Sequence, residues 1–304
     1  MMLMLWLILC LSAAAIWGIS AFFDNYLTDV IFKNRTPQAM KAINGPTYLI
    51  FAVILAVCFG NSINFGAPIL ILLLSGVLHS VGSIFYYNAL KGENATGAAI
   101  FYQLQPILFL AGGFLLFSES ISPQQILGFI LILLAPIVVI LSKRRNSRRM
   151  EMRAALLLII YVIFATVSSG IAVRVGHQEH FITVFTFFLV GRGASDLLIS
   201  FVPKIRRRHH YIMEHDGAKY MTITLLNQII CTAADFMYRY GLILGIAALA
   251  SAFTNAAELI LTFLFGIIFS IIWPKFGREK LNRRDVLAHI IAVILCAIGI
   301  FVIQ

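Results

Sequence analysis

The chain has 304 residues, of which 61% are hydrophobic and only 12% charged, and it carries a formal net charge of +10. A soluble fold of this length needs a polar skin, and the composition is too apolar to supply one. The surrounding solvent is therefore lipid, where a helix rising about 1.5 Å per residue needs roughly twenty apolar residues to cross with its backbone fully paired.

Ten such stretches follow one another, which predicts helices over 3–23, 46–60, 67–90, 96–117, 123–142, 153–175, 181–202, 218–241, 247–273 and 285–303. The first has no positive n-region, so it is expected to stay as a helix, although Ala13, Ala14 and Ala15 imitate a leader cleavage site. Pro68 opens the third helix. Ser122-Pro123-Gln124-Gln125 opens the fifth, with Ser122 as cap, Pro123 at the first helical position and Gln125 reaching back. Pro106 and Pro136 fall inside helices and should bend them, either to free carbonyls for a cavity or simply for packing. Connections are short, and the longest, Pro203 to Gly217, is basic and polar, so no soluble domain is expected. Cys10, Cys58, Cys231 and Cys296 lie in apolar segments without Cys-x-x-Cys pairing and read as small hydrophobes; no metal or cofactor is expected.

The basic residues set the expected topology. Of 23 Lys and Arg, 20 lie on odd-numbered connections: Lys33, Arg35 and Lys41; Lys91; the run Lys143 to Arg153; Lys204, Arg206 to Arg208 and Lys219; and Lys275 to Arg284. The positive-inside rule makes those connections cytoplasmic and puts both termini outside. Their expected partner is the anionic headgroup layer of a bilayer, a bacterial plasma (inner) membrane, and not nucleic acid. The sequons Asn34-Arg35-Thr36 and Asn94-Ala95-Thr96 would then be cytoplasmic and unglycosylated.

Internal similarity appears when Tyr87-Asn88-Ala89-Leu90 is laid on Arg239-Tyr240-Gly241-Leu242, which brings Ala95–Ile100 onto Ala247–Ala252. The expected units are residues 1–142 and 153–304, joined by the basic linker 143–152. Five helices per half make the second copy insert upside down. The fold class expected is thus an all-α integral membrane protein of ten transmembrane helices in two inverted five-helix repeats, with a substrate site near the midplane between them.

Phe85-Tyr86-Tyr87-Asn88-Ala89-Leu90, Ala95-Thr96-Gly97-Ala98, Gln105-Pro106, Glu119 and Gln124 to Gly128 together resemble the helix 3 to helix 5 pattern of the EamA-like branch of the drug/metabolite transporter superfamily. The resemblance implies two EamA-like repeats and transport. Because superfamily members carry amino acids, amines, nucleotide sugars and sugar phosphates, it leaves the solute open. In the second half the counterpart of Pro106 is Glu258.

Ionisable residues cost about 2.5 to 3.5 kcal/mol each at the centre of a membrane helix and so mark partners or wet cavities. Arg192 and Asp196 stand four apart on the seventh helix, as do Asp235 and Arg239 on the eighth, a spacing that serves structural or gating salt bridges or substrate contact. Glu258 has no opposite charge three or four residues away, and Ser251, Thr254, Asn255 and Thr262 share its stripe. It is expected to couple proton movement to substrate, to hold a cationic group, or else to pair across helices, with Arg192 as one candidate.

Ser75, His79, Ser83, Tyr86 and Tyr87 on the third helix, Tyr102, Gln103 and Gln105 on the fourth, and Asn227, Gln228, Cys231 and Thr232 on the eighth form further polar stripes. Trp17, Tyr86 and Tyr102 either wall a site or pack; beside Glu258 they would favour an amine through cation–π attraction. Asp24 and Asn25 fit a gate or a solvated helix end, and Glu119 fits a helix terminus. Neither a Gly-x-Gly-Asp nor a Gly-x-Ser-x-Gly motif occurs, so an enzyme is not expected. The function expected is alternating-access transport of a small polar metabolite, open to proton coupling, with a flippase for a lipid or lipid-linked sugar as the alternative.

Overall fold

A computed structural model of the protein describes residues 2–32, 36–66, 68–90, 101–102, 104–112, 122–142, 152–272 and 283–303. Among them are ten α-helices and no strand. In chain order the helices are α1 Met2–Tyr26, α2 Lys41–Phe59, α3 Ile69–Ala89, α4 Leu104–Gly112, α5 Pro123–Ser142, α6 Met152–Gly176, α7 Phe181–Ser200, α8 Pro203–Leu244, α9 Ala247–Ile272 and α10 Arg283–Ile303. Asn34, Lys91, Asn94, Gln103, Glu119 and most of the expected linker lie outside the described residues, as do the side chains of Pro136, His289 and Cys296.

Among the described residues, six segments are long and apolar enough to cross a membrane: Met4–Tyr26, Pro37–Ser62, Ile69–Ala89, Arg153–Gly176, Phe181–Ser200 and Ala247–Phe269. Pro123–Ala135 and Val286–Val302 are shorter apolar helices. The side chains are distributed inside out relative to a water-soluble protein. Val57, Leu70, Leu198, Ile271 and Phe301 stand exposed on the outer surface, while Asp24, Lys41, Asp196, Asn227, Arg239 and Glu258 are buried. Only a hydrocarbon solvent makes that arrangement favourable.

Local chemistry accounts for several helix ends. Ser122 Oγ accepts from Gln125 N at 3.2 Å, and Gln125 Oε1 accepts from Ser122 N at 2.9 Å, the reciprocal cap expected from the sequence. Pro68 stands at the N-cap of α3.

Two boundaries differ from expectation. α2 begins at Lys41, after a 3-10 turn over Pro37–Met40, so Pro46 lies within the helix instead of opening it. α8 begins at Pro203, so the expected basic loop Pro203 to Gly217 is helical. Asp216 interrupts α8 with φ −132° and ψ 24°, dividing a basic segment from the membrane-buried portion. The basic segment holds its place by burying Ile212 against Tyr26, Phe32 and Tyr220, while Arg208 donates to the Phe32 carbonyl at 2.9 Å.

Helices in lipid gain little from burying apolar surface against one another, so close backbone approach decides their packing. Glycine supplies it on opposite faces of α7. A methyl group at Gly191 would stand 2.1 Å from the Leu73 carbonyl oxygen of α3, and one at Gly193 would stand 2.9 Å from the Gly45 carbonyl oxygen of α2. Gly76 meets α7 just as closely, 2.2 Å from Phe188 O. This double crossing wedges α7 between α2 and α3. The other principal packing pairs are α1 with α8 and α9, α2 with α8, α3 with α6, α4 with α6 and α9, and α5 with α9 and α10.

Candidate functional site

A cavity of about 120 Å³ lies inside the bundle, bordered by α1, α3, α6, α7, α8 and α9 and by the start of α4. α1 contributes Trp17, Ser20 and Asp24; α3 contributes His79, Ser83, Tyr86 and Tyr87. Tyr102 and Gln105 come from the α4 region, Tyr161 and Ser169 from α6, and Arg192 from α7. α8 adds Cys231, Asp235, Tyr238 and Arg239, and α9 adds Asn255, Glu258 and Thr262.

At one part of the wall Asp24 joins three helices. Its Oδ2 accepts from the Tyr86 hydroxyl of α3 at 3.2 Å, and its Oδ1 accepts from Asn227 Nδ2 of α8 at 2.9 Å. Ser20 Oγ donates to Asn227 Oδ1 at 2.7 Å and lies 2.8 Å from Cys231 Sγ. Asn227 therefore acts one bond behind the cavity lining, by orienting the Asp24 carboxylate.

The ionic partners differ from those that helical spacing pointed to. Arg192 pairs with Asp235 of α8, and Asp196 pairs with Lys41 of α2. Neither four-residue pair closes on itself: Arg192, Asp196 and Asp235 each meet an opposite charge across a helix crossing, and Arg239 does not. The Arg192 guanidinium also lies 4.3 Å over the Tyr48 ring. Arg239 meets no carboxylate at ion-pair distance among the described residues. Instead it stacks 3.7 Å over Phe188 and donates to Ser168 Oγ at 3.1 Å, with longer contacts of 3.4 Å to Ser168 O and His79 Nδ1.

Glu258 is buried, 6% exposed, and borders the cavity, yet no hydrogen bond or ion pair reaches its carboxylate among the described residues. In particular it does not pair with Arg192. Asn255, one turn earlier, donates to the Tyr102 carbonyl at 2.7 Å. Tyr86, Tyr102 and Tyr161 pack as one aromatic wall, with centroid distances of 5.2 Å from Tyr86 to Tyr161 and 5.7 Å from Tyr102 to Tyr161. Trp17 and Tyr238 form a second aromatic pair at 4.9 Å.

Of the residues singled out in the sequence, Trp17, Asp24, His79, Tyr102, Arg192, Asp235, Arg239, Asn255 and Glu258 border the cavity. Two others do not. Gln228 donates within α8 to Thr232 Oγ1 at 3.2 Å and does not border the cavity. Asp196 is sealed against Lys41 and Ser80. Sequence reasoning missed Lys41, Tyr161 and Tyr238. Lys41 was counted among the loop charges, whereas it is a buried part of α2. Tyr161 shares a helical stripe with Ala165 and Ser169, a pattern present in the sequence but masked by the apolar residues between them.

An apolar exterior around a polar chamber built from seven helical segments defines an integral membrane protein with an internal site. Residues 4–141 match the EamA-like transporter family. By this match the first half of the chain is similar to a family of membrane transporters within the drug/metabolite transporter superfamily. No curated protein sequence matches the chain. A solved structure described as "Crystal structure of protein" is similar in fold, with a TM-score of 0.64 and 16% sequence identity over 95% of this chain and 94% of that chain.

Proposed function

We propose that the protein is a carrier that moves a small polar metabolite across the membrane by alternating access, using the central cavity as its binding site. One observation carries this reading. The register that lays Leu90 on Leu242 lays cavity-lining residues on cavity-lining residues: Trp17 on Ser169, His79 on Cys231, Ser83 on Asp235, Tyr86 on Tyr238 and Tyr87 on Arg239. Such a coincidence is expected where a site sits on the axis relating two repeats.

Packing supports the same repeats, taken as 1–142 and 153–304 with 143–152 between them. Exchanging the first five helices for the second five turns α1–α8 into α6–α3, α1–α9 into α6–α4 and α2–α8 into α7–α3. The pairs α2–α7, α4–α9 and α5–α10 map onto themselves. Five crossings per half invert the second repeat, and the basic connections favour a cytoplasmic side for the linker, with both termini outside and anionic headgroups of a bacterial plasma (inner) membrane as neighbours.

In this reading Glu258, Asn255, Arg192, Asp235, Tyr102, His79 and Trp17 contact the solute. Asn227 acts through Asp24. Asp24 and Arg239 gate, and Asp196 anchors α7. Glu258 exchanges a proton for solute, because a buried carboxylate without a partner is stable only when protonated or paired with a cation.

The test is a ligand screen on the purified protein with amines, amino acids, nucleotides and sugar phosphates. One class is expected to raise the melting temperature and to slow thiol labelling of Cys231 in a background lacking Cys10, Cys58 and Cys296. A response to lipid or lipid-linked sugar alone would favour flipping. In proteoliposomes, uptake of the responding solute should depend on a pH gradient, and Glu258→Gln should abolish or uncouple it; uptake indifferent to pH would remove the coupling.

A further inference from the structure

We infer that the solute is a small organic cation, an amine whose ammonium binds the Glu258 carboxylate, and that the cavity rejects phosphorylated and carboxylate solutes. The inference deepens the carrier reading and rests on it. Its basis is which ionic groups on the cavity wall still have binding capacity to offer.

Both guanidinium groups already have partners, although Arg192 donates to its carboxylate through one terminal nitrogen and neither Nε is hydrogen-bonded among the described residues. Arg192 is paired with Asp235 and lies over Tyr48. Arg239 lies against Phe188 and directs its terminal nitrogens to Ser168 and His79. The Nε atoms of both are sealed from the cavity. An anionic solute at either arginine would compete with a partner already in place, Asp235 for Arg192 and the Phe188 face with Ser168 for Arg239. Asp24 is already satisfied by the neutral donors Tyr86 and Asn227. Glu258 is different: it borders the cavity and accepts from no described group, so a counter-charge arriving with the solute has nothing to displace.

The surroundings of Glu258 suit an ammonium. Tyr102 and Tyr161 border the same cavity, 5.7 Å apart. At that separation the rings touch each other and form a wall, not a cage around a ligand, so a cation would rest on the wall while its charge meets the carboxylate. Aromatic faces within about 6 Å attract a cation by their quadrupole and give an anion nothing comparable. A cavity of about 120 Å³ leaves room for a compact amine.

A matched set of probes separates charge from shape: isoamylamine, leucine and isocaproate share a branched apolar body and differ in charge. Binding to the purified full-length protein is read by tryptophan fluorescence and by protection of Cys231 from thiol labelling. Isoamylamine is expected to bind about tenfold or more tightly than leucine, with isocaproate weaker still. Glu258→Gln should lose about tenfold or more of the amine affinity, and Glu258→Asp, which keeps the charge, should retain most of it. Tighter binding of leucine or isocaproate, or amine binding indifferent to Glu258→Gln, overturns the charge assignment and leaves the carrier reading standing. If none of the three binds and none of the screened classes protects Cys231, both readings fall.

Discussion

α7 carries two buried ion pairs one helical turn apart, and their surroundings are opposite. Asp196 faces α2 and α3, where Lys41 also donates to Ser80 O at 3.0 Å and Ser83 Oγ at 2.8 Å; Lys41 is 1% exposed and its pair lies outside the cavity lining. Arg192 faces α8, and both it and Asp235 border the cavity. The first pair is held by the scaffold, with Lys41 bonded to Ser80 and Ser83 and Ser80 donating to Asp196, while the second leaves its flank open to whatever the cavity holds. Burial of charge in this molecule therefore serves two ends, and what distinguishes them is the number of neutral oxygens around each pair, not the pair itself.

The largest effect should come from unbalancing the sealed pair. Lys41→Met leaves Asp196 buried and unpaired, which should cost about 3–5 kcal/mol and show as loss of monodisperse protein and a lower melting temperature. Adding Asp196→Leu should recover most of that loss, because removing both charges removes the desolvation problem. Recovery failing in the double variant would mean that the pair does more than hold three helices.

The crossing that positions both pairs comes next. Gly191→Ala forces a methyl group against the Leu73 carbonyl and should destabilise by about 1–3 kcal/mol, read as a lowered melting temperature. The change pushes α7 from α3 and should weaken solute binding in parallel.

Arg192→Gln should be gentler on the fold than Lys41→Met, lowering the melting temperature by less than half as much, because water in the cavity can solvate Asp235. Its main effect should fall on transport, with uptake reduced by about tenfold or more. Equal destabilisation by the two changes would erase the contrast between the pairs.

The smallest effects should come from the tyrosines that share a register. Tyr86→Phe removes the hydrogen bond to Asp24, and Tyr238→Phe removes the one to Ser251 Oγ at 3.2 Å; each should cost about 0.5–1.5 kcal/mol. In inverted repeats the two losses should open Cys231 to impermeant thiol reagents from opposite sides of the membrane. Opening from the same side would argue against the inversion.

Much of this was readable without coordinates where the physics is local. The Ser122–Gln125 cap needs only neighbours in sequence, and the structure contains it. The polar stripe of Ser251, Thr254, Asn255, Glu258 and Thr262 on α9 depends only on helical period; Asn255, Glu258 and Thr262 border the cavity, and Ser251 and Thr254 are buried outside its lining. Lys41 escaped because Pro46 reads as a helix start, which placed the lysine among loop charges; its burial depends on Asp196, distant in sequence, waiting for it. Gln228 and Asp196 were drawn into the site by stripe and charge, which say that a side chain faces protein without saying which neighbour it faces.

The amino-acid order alone determined that this chain lives in lipid, that it forms about ten helices, and which few charges sit among apolar residues, because length, hydropathy and capping act over one or two helical turns. Only the tertiary structure decided that Arg192 meets Asp235 and Asp196 meets Lys41 while Glu258 meets no described partner. A spacing of four tells which face of a helix two groups share. What that face touches is set by where glycines let other helices cross.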